Sequence, residues 1–181
     1  MEKLFISYNQ IHETVKGIAQ EIQSDGFAFD HMVAIGTGGF IPARMLKTFI
    51  NRPILTVGMA YYDLNDVKMD VPVITQWLDD PENQITGRRI LLVDEVDDTR
   101  STIGYCLEKL LTHDPKEIAV AVLHDKDKPK TREIPPQITR YYRGLKMEDR
   151  WICYPWDAED IWAQDKQAVW SDPPIENPIT S

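Results

Sequence analysis

The first apolar pattern along the chain has the spacing of an amphipathic helix. Four aliphatic residues lie three or four positions apart, so they would share one helix face. Ser7 precedes them and is suited to cap the helix, and Gly26 follows them and is suited to end it. We therefore predict a helix between these two residues. Its apolar positions are Ile11, Val15, Ile18 and Ile22.

The following segments predict a strand, a glycine-rich loop and a second helix. Residues 31–35 form a short apolar run that ends at the Gly-Thr-Gly-Gly sequence of residues 36–39. Pro42 then stands where the first turn of a helix tolerates proline. Farther along, residues 54–62 and 71–77 have strand-like compositions and flank a polar stretch. This second pattern predicts a hairpin-like excursion or a mobile flap.

Two continuous apolar runs, residues 89–93 and 118–123, predict strands that are buried on both faces. Apolar residues at helical spacing lie between the two runs. A strand, a helix and a strand in this order imply a parallel sheet. We therefore expect an α/β fold in which a central, mainly parallel sheet is flanked by helices. The helical positions are Ile103, Leu107, Leu110 and Leu111.

Length and composition predict one domain. A chain of 181 residues that is 43% hydrophobic can bury one substantial core, so we assign residues 1–181 to a single domain. Further short strands are predicted at 138–142 and 151–154. An acidic last helix is expected around 160–170, and the proline-rich residues 172–181 are expected to form a frayed tail.

The charge and the cysteine content exclude several functional classes. A net charge of −9 argues against binding to nucleic acids or anionic lipids, although metal ions and backbone amides could still hold a phosphorylated ligand. Cys106 and Cys153 have no metal-binding spacing and are expected to be reduced. We see no signal peptide and no membrane-spanning run, so we expect a soluble, cytoplasmic protein.

A cluster of carboxylates follows the strongest predicted strand. Four of the five residues 94–98 are acidic, and open α/β sheets bind ligands at the carboxyl ends of their strands. Two such charges close together repel by about 4 kcal/mol, so Mg²⁺ or sugar hydroxyls are natural partners. Residues 99–102 offer hydroxyls and amides at a helix start, where phosphate binds well. A solvated acidic loop is the alternative. A P-loop ATPase is excluded because no Gly-x-x-x-x-Gly-Lys-[Ser/Thr] sequence occurs.

This segment resembles the signature of type I phosphoribosyltransferases that binds phosphoribosyl pyrophosphate (PRPP). The signature is a hydrophobic strand, two acidic residues, two further residues and then Asp-Thr-Gly-x-Thr. The resemblance implies that Asp94 and Glu95 bind the ribose hydroxyls, directly or through Mg²⁺. It also implies that Asp98 is the general acid/base that faces N7 of a purine. Arg100 replaces the usual glycine, and we expect it to add a phosphate contact. The implied 5′-phosphate loop consists of Asp98, Thr99, Arg100, Ser101 and Thr102.

The glycine loop resembles the pyrophosphate loop of the same family. Glycines let backbone amides approach a pyrophosphate closely, so Thr37 and Gly38 are expected to bind that part of PRPP. Members of the family often have a non-proline cis peptide in this loop, which would fall between Gly36 and Thr37. Many relatives have Lys or Arg where this chain has Thr37, so a direct cationic contact is not expected from this position.

A Trp-Ile run near the C-terminus resembles the hood over the base in bacterial xanthine–guanine phosphoribosyltransferases. On that resemblance, Trp151 would stack on the purine and Ile152 would hydrogen-bond it through its backbone. Lys126 matches the family lysine that donates to O6, which favours 6-oxopurines over adenine. An ordinary solvated basic loop is the alternative for Lys126, and it is our interpretation of Lys128 and Lys130.

Three further assignments rest on the same resemblance. Residues 138–160 would supply most of the hood. Tyr62 resembles the tyrosine of a flexible loop that closes over the reacting centre, with a plain edge-strand tyrosine as the alternative. Asp94 or Glu95 would bind Mg²⁺, and Asp157 is the candidate ligand for a second Mg²⁺.

The resemblance implies an enzyme of purine salvage. It would transfer the phosphoribosyl group of PRPP to hypoxanthine or guanine and release pyrophosphate. A xanthine-preferring enzyme is one alternative, because the 2-position of the base would be read largely by backbone groups and waters near residues 153–157. A non-catalytic regulator that senses PRPP is the other. We expect no nucleic-acid or membrane partner, and a homodimer or homotetramer, as is common in the family.

Overall fold

The computed structural model describes residues 2–62 and 68–168, and for residues 61–62 and 68–71 it describes the backbone alone. The strands are β1 (Lys3–Phe5), β2 (His31–Gly36), β3 (Ile54–Tyr62), β4 (Lys68–Gln76), β5 (Arg89–Asp97), β6 (Glu117–Asp127), β7 (Arg140–Glu148) and β8 (Trp151–Cys153). The helices are α1 (Tyr8–Ser24), α2 (Phe40–Phe49), α3 (Pro81–Gln84), α4 (Ser101–Leu111) and α5 (Ile161–Gln167), with a 3₁₀ turn at Pro155–Asp157. The predicted tail, 172–181, lies outside the described residues.

Six strands form one sheet in the order β4-β3-β2-β5-β6-β7. All neighbours pair in parallel except β3 and β4, which are antiparallel. The prediction of an α/β fold with a mainly parallel sheet is therefore confirmed. Strands β5 and β6 extend beyond the predicted runs, so the first carboxylates of the acidic cluster belong to β5 itself.

The sheet is covered by helices on both faces because its central strands are apolar on both sides. Leu91 and Val93 of β5 pack in a core with α1 and α2. Ile90 and Leu92 point to the other face, where they pack with α4. This alternation is the period of two expected of a strand. The two cores enclose the apolar part of the central strand, and its acidic C-terminal end follows directly, with Asp94 and Asp97 still buried.

Helix α1 begins where the sequence predicts. The Ser7 hydroxyl accepts a hydrogen bond from the Gln10 backbone amide, and the Gln10 side chain accepts one from the Ser7 amide, which together form a capping box. Gly26 follows the helix with a φ of 67°, a left-handed conformation that glycine adopts readily.

A small separate sheet pairs the N-terminus with the segment near the C-terminus. Strand β1 runs parallel to β8, with Leu4 opposite Ile152. Of the residues 138–160 assigned to the hood, β7 joins the six-stranded sheet, whereas β8 joins β1. The apolar pattern does not predict β1, because three residues are too few to show the alternation of a strand.

No helix in the described ranges is long and apolar enough to cross a membrane.

Candidate active site

Three predicted functional segments meet at one edge of the sheet. The glycine loop follows β2, the acidic cluster ends β5, and the lysine-containing segment ends β6. These three strands are parallel neighbours, so their carboxyl ends lie side by side. The peptide bond between Gly36 and Thr37 is cis, as predicted.

The acidic pair lies partly inside the protein. Asp94 is buried, and its Oδ1 accepts a hydrogen bond of 2.9 Å from the Glu95 backbone amide. Burial, and then the adjacent Glu95 charge, raise the pKa of Asp94 well above its ordinary value. The Glu95 carboxylate occupies the space that a Cβ on Gly38 would need. The acidic pair and the glycine loop are therefore in direct contact.

The acidic residues are chemically suited to a magnesium ion. Burial and the charge of Glu95 raise the pKa of Asp157, so a nearby cation would relieve repulsion between these two carboxylates. Among the residues that the structure describes, no group of three or more His, Cys, Asp or Glu side chains could hold a metal ion alone. Mg²⁺ commonly takes one or two carboxylates and completes its shell with water and substrate phosphates. The carboxylates of Asp94, Glu95 and Asp157 can supply the few protein ligands that such a magnesium shell needs.

The candidate acid/base, Asp98, contacts two lysines. Its Oδ1 lies 3.1 Å from the Nζ atoms of both Lys126 and Lys128. Asp149 completes the cluster, with an oxygen 2.9 Å from Lys128 Nζ and another 3.5 Å from Lys126 Nζ. Burial alone would raise the pKa of Asp98, but the bonds from Lys128 and then Lys126 outweigh it and lower the pKa. Asp98 is therefore a carboxylate in the free protein, and the two lysines make it a weaker base than an isolated aspartate.

Lys130 ties the acidic loop to the end of β6. Its Nζ lies 2.7 Å from the backbone oxygen of Asp97, 3.0 Å from that of Asp98 and 2.8 Å from that of Lys126. Asp125 Oδ1 is a fourth acceptor at 2.9 Å. The interpretation of Lys128 and Lys130 as ordinary solvated lysines is therefore wrong. Both amines bond carboxylates or carbonyls that belong to the site.

The loop before α4 is stabilised by hydroxyl groups. The Thr99 and Ser101 hydroxyl oxygens are 2.9 Å apart, and Ser101 is 2.7 Å from the hydroxyl of Thr131. Thr131 also donates both its amide and its hydroxyl to the Thr99 carbonyl. Thr102 is the second residue of α4. No side chain caps this helix, which is the arrangement expected where an anion accepts the first N–H groups.

Arg100 turns away from this loop. Its φ is 64°, a left-handed conformation that glycine adopts without strain and an arginine does not. Its Nε donates to Asp97 Oδ2 at 2.8 Å, and its guanidinium lies over the Tyr141 ring. Asp97 Oδ2 also accepts from the Tyr141 hydroxyl at 2.7 Å. The predicted phosphate contact of Arg100 stays a prediction, because its Nε is occupied by Asp97.

The residues predicted to bind the base lie on β8. Trp151 is 59% exposed, so its ring face is available for stacking, and Ile152 is partly buried beside Leu4. Tyr62 is the last residue of β3, and its side chain lies outside the described part of the structure, as do residues 63–67, for which the sequence predicts a hairpin-like excursion or a flap. The stacking and lid roles of these residues stay predictions.

Sequence reasoning missed several residues of the site. The sequence assigns Lys126 to the site but not Lys128 and Lys130, which follow it at a spacing of two, and in an extended chain that spacing directs side chains to one face. This signal could have grouped the three lysines. Asp149 and Thr131 gave no comparable signal, because only the folded chain brings them to the acidic loop.

Comparisons with known proteins agree with this geometry. Residues 7–159 match the family described as the phosphoribosyl transferase domain. Xanthine phosphoribosyltransferase 1 of Saccharomyces cerevisiae is 36% identical, over 88% of this chain and 92% of its own. Hypoxanthine-guanine phosphoribosyltransferase of Schizosaccharomyces pombe is 37% identical, over 92% of this chain and 95% of its own.

A solved structure is also similar. A hypothetical protein from Neisseria gonorrhoeae with bound ppGpp superposes with a TM-score of 0.86 at 44% identity, covering 92% of this chain and 96% of that one. The family match spans most of the chain and includes the acidic cluster, the lysine cluster and the Trp-Ile run. This protein therefore belongs to the phosphoribosyltransferase family.

Proposed function

We propose that this protein transfers the phosphoribosyl group of PRPP to a 6-oxopurine, giving a purine nucleoside 5′-monophosphate and pyrophosphate. The observation that carries the proposal is the ionised Asp98 beside two lysine amines, at the strand end where the family binds PRPP. The curated relatives named above support the substrate class, because they are named for xanthine and for hypoxanthine-guanine.

In the proposed reaction, N9 of the purine attacks C1 of the ribose. The C1–O bond to pyrophosphate breaks, and its electron pair leaves with the pyrophosphate. Asp98 accepts the proton that N7 loses as the N9–C1 bond forms. Lys128 and Lys126 keep Asp98 ionised in the free protein, and Lys126 is the proposed donor to O6 once the base binds.

The remaining groups bind the two ends of PRPP. The amides and hydroxyls of residues 98–102 hold the 5′-phosphate at the start of α4, and Thr37 and Gly38 approach the pyrophosphate. Asp94 and Glu95 take the ribose hydroxyls, directly or through Mg²⁺, and Asp157 is the candidate ligand for a second Mg²⁺. The metal ion would supply positive charge that stabilises the departing pyrophosphate. We also propose a homodimer or homotetramer, which sedimentation of the purified protein would check.

The choice among 6-oxopurines is open to a direct assay. Relatives named for xanthine and for hypoxanthine-guanine have almost the same identity to this chain, 36% and 37%, so similarity favours neither. We propose hypoxanthine and guanine as substrates. The test is to supply PRPP and Mg²⁺ with hypoxanthine, guanine, xanthine or adenine and to measure each nucleotide. Turnover of xanthine alone would establish the xanthine-preferring alternative. Saturable PRPP binding without turnover would establish the regulator.

A second proposal concerns ppGpp. The similar protein from Neisseria gonorrhoeae was solved with ppGpp bound. We propose that this chain also binds ppGpp, with the guanine against Trp151 and a phosphate group at the start of α4. Binding would then compete with PRPP. Titration of ppGpp at several PRPP concentrations tests this, and ppGpp inhibition that is independent of PRPP concentration would contradict it.

A further inference from the structure

Tyr154 joins two parts of the candidate site that are distant in sequence. It directly follows β8, which carries Trp151 and Ile152, and its side chain is buried. Its hydroxyl lies 3.1 Å from the backbone oxygen of Glu95 and 2.9 Å from Nδ1 of His124. One phenol group therefore contacts both β5 and β6.

The direction of these hydrogen bonds follows from the number of protons. A tyrosine hydroxyl has one proton, and the Glu95 carbonyl can only accept, so Tyr154 donates to Glu95. The hydroxyl must then accept from His124, which makes Nδ1 the protonated nitrogen of a neutral imidazole. Burial lowers the pKa of His124 to about 4, so the ring stays neutral at ordinary pH.

The ring of Tyr154 is held independently of its hydroxyl. It stacks on Trp156 with the centroids 4.5 Å apart and the planes 8° from parallel. A phenylalanine at this position would keep the stacking and lose only the hydroxyl. The hydrogen bond to Glu95 can therefore be tested without removing the aromatic packing.

We infer that Tyr154 is a positioning residue that couples the base-binding segment of β8 to the acidic pair on β5. The inference rests on the proposed function, in which Trp151 and Ile152 hold the purine and Glu95 holds the ribose or its metal ion. Movement of β8 when a base binds is transmitted through the Tyr154 hydroxyl to the Glu95 peptide. Base and PRPP binding thereby strengthen one another, as linkage requires.

The test compares PRPP affinity with and without a base analogue. Calorimetry with PRPP and Mg²⁺ is run alone and with a 6-oxopurine analogue that has carbon in place of N9, so no reaction occurs. We expect the analogue to tighten PRPP binding to the wild-type protein. In Tyr154→Phe the factor by which the analogue tightens PRPP binding should fall by about fivefold, which corresponds to the loss of one neutral hydrogen bond. The affinity for PRPP alone should change by less than about twofold.

Tyr142→Phe is the matched control. The Tyr142 hydroxyl donates to Asp25, at the end of α1, and makes no contact with the acidic pair. This variant should keep the full enhancement. The inference is overturned if Tyr154→Phe also keeps it, if Tyr142→Phe loses as much, or if the wild-type protein shows no enhancement.

The hydrogen bond from Tyr154 to Glu95, here called the tether, can be tested separately from the proposed function by hydrogen exchange of the free protein. Amides of residues 151–157 should exchange faster in Tyr154→Phe than in the wild type, whereas Tyr142→Phe should leave them unchanged. Unaltered exchange there in Tyr154→Phe would overturn the tether. A wild-type protein that binds neither PRPP nor the analogue would refute the proposed function, and the exchange result would still decide whether the tether exists.

Discussion

Replacing Arg100 separates two opposing contributions to stability. Arg100 has a left-handed backbone, which costs a non-glycine residue about 1–2 kcal/mol. Its side chain also pairs with Asp97, which is fully buried. Arg100→Gly removes both the strain and the ion pair, whereas Arg100→Ala removes only the ion pair. The difference between the two variants therefore reports the backbone strain.

The expected magnitudes follow from the surroundings of Asp97. Removing one partner of a buried ion pair costs about 3–5 kcal/mol when the other charge is left alone. Asp97 would keep the Tyr141 hydroxyl at 2.7 Å and Lys130 Nζ at 3.4 Å, although Oδ1 makes no hydrogen bond. We therefore expect the lower end, a loss of about 3 kcal/mol for Arg100→Ala. Arg100→Gly should lose about 2 kcal/mol, because relief of strain offsets about 1 kcal/mol.

Urea unfolding followed by circular dichroism measures all three proteins. The free energies of unfolding should fall in the order wild type, Arg100→Gly and Arg100→Ala, with similar dependence on urea concentration. If Arg100→Ala were as stable as Arg100→Gly, the left-handed backbone would carry no strain. If Arg100→Ala matched the wild type, the pair with Asp97 would contribute nothing.

Three further predictions concern His124 and two glycines of the glycine loop. Burial lowers the pKa of His124 in the folded protein from 6.5 to about 4. Between these two pH values the unfolded chain therefore binds a proton on His124 that the folded protein does not bind. The contribution of neutral His124 to the free energy of unfolding is therefore fully present above pH 6.5 and falls by about 3 kcal/mol towards pH 4. His124→Gln should lessen that fall, which urea unfolding at both pH values would measure. A Cβ on Gly39 would lie 2.6 Å from the Val93 carbonyl, so Gly39→Ala should cost about 1–3 kcal/mol. The three atoms nearest a Cβ on Gly38 all belong to the movable Glu95 carboxylate, so Gly38→Ala should cost less stability and mainly weaken PRPP binding, which thermal melts and calorimetry would show. An equal loss of stability in both alanine variants would contradict this distinction.

The central part of the fold could be predicted from local patterns. The apolar runs that became β5 and β6 and the helical spacing of α1 and α4 each reflect burial within one element. Their order alone implies parallel strands with helices on the faces. The acidic cluster could be placed at a strand end for the same reason.

Contacts between distant segments could not be predicted in this way. Strand β1 is three residues long and pairs with β8, which is distant in sequence. Its own apolar pattern is therefore too short to predict a strand. The partners of Lys130 are mostly backbone oxygens, which every residue carries, so their arrangement depends on tertiary structure. The direction of Arg100 depends likewise on Asp97 and Tyr141, which only the folded sheet brings together.

The role of Asp98 is the central claim, and its conversion to asparagine tests it most directly. Nucleotide formation from PRPP and hypoxanthine or guanine is measured for the wild type, for Asp98→Asn and for Asp127→Asn, which alters an exposed carboxylate paired with Lys146. We expect kcat to fall by about 10²- to 10⁴-fold in Asp98→Asn, because an amide cannot accept the N7 proton. The KM for PRPP should change little, and Asp127→Asn should match the wild type. Wild-type turnover that persists undiminished in Asp98→Asn would contradict the account.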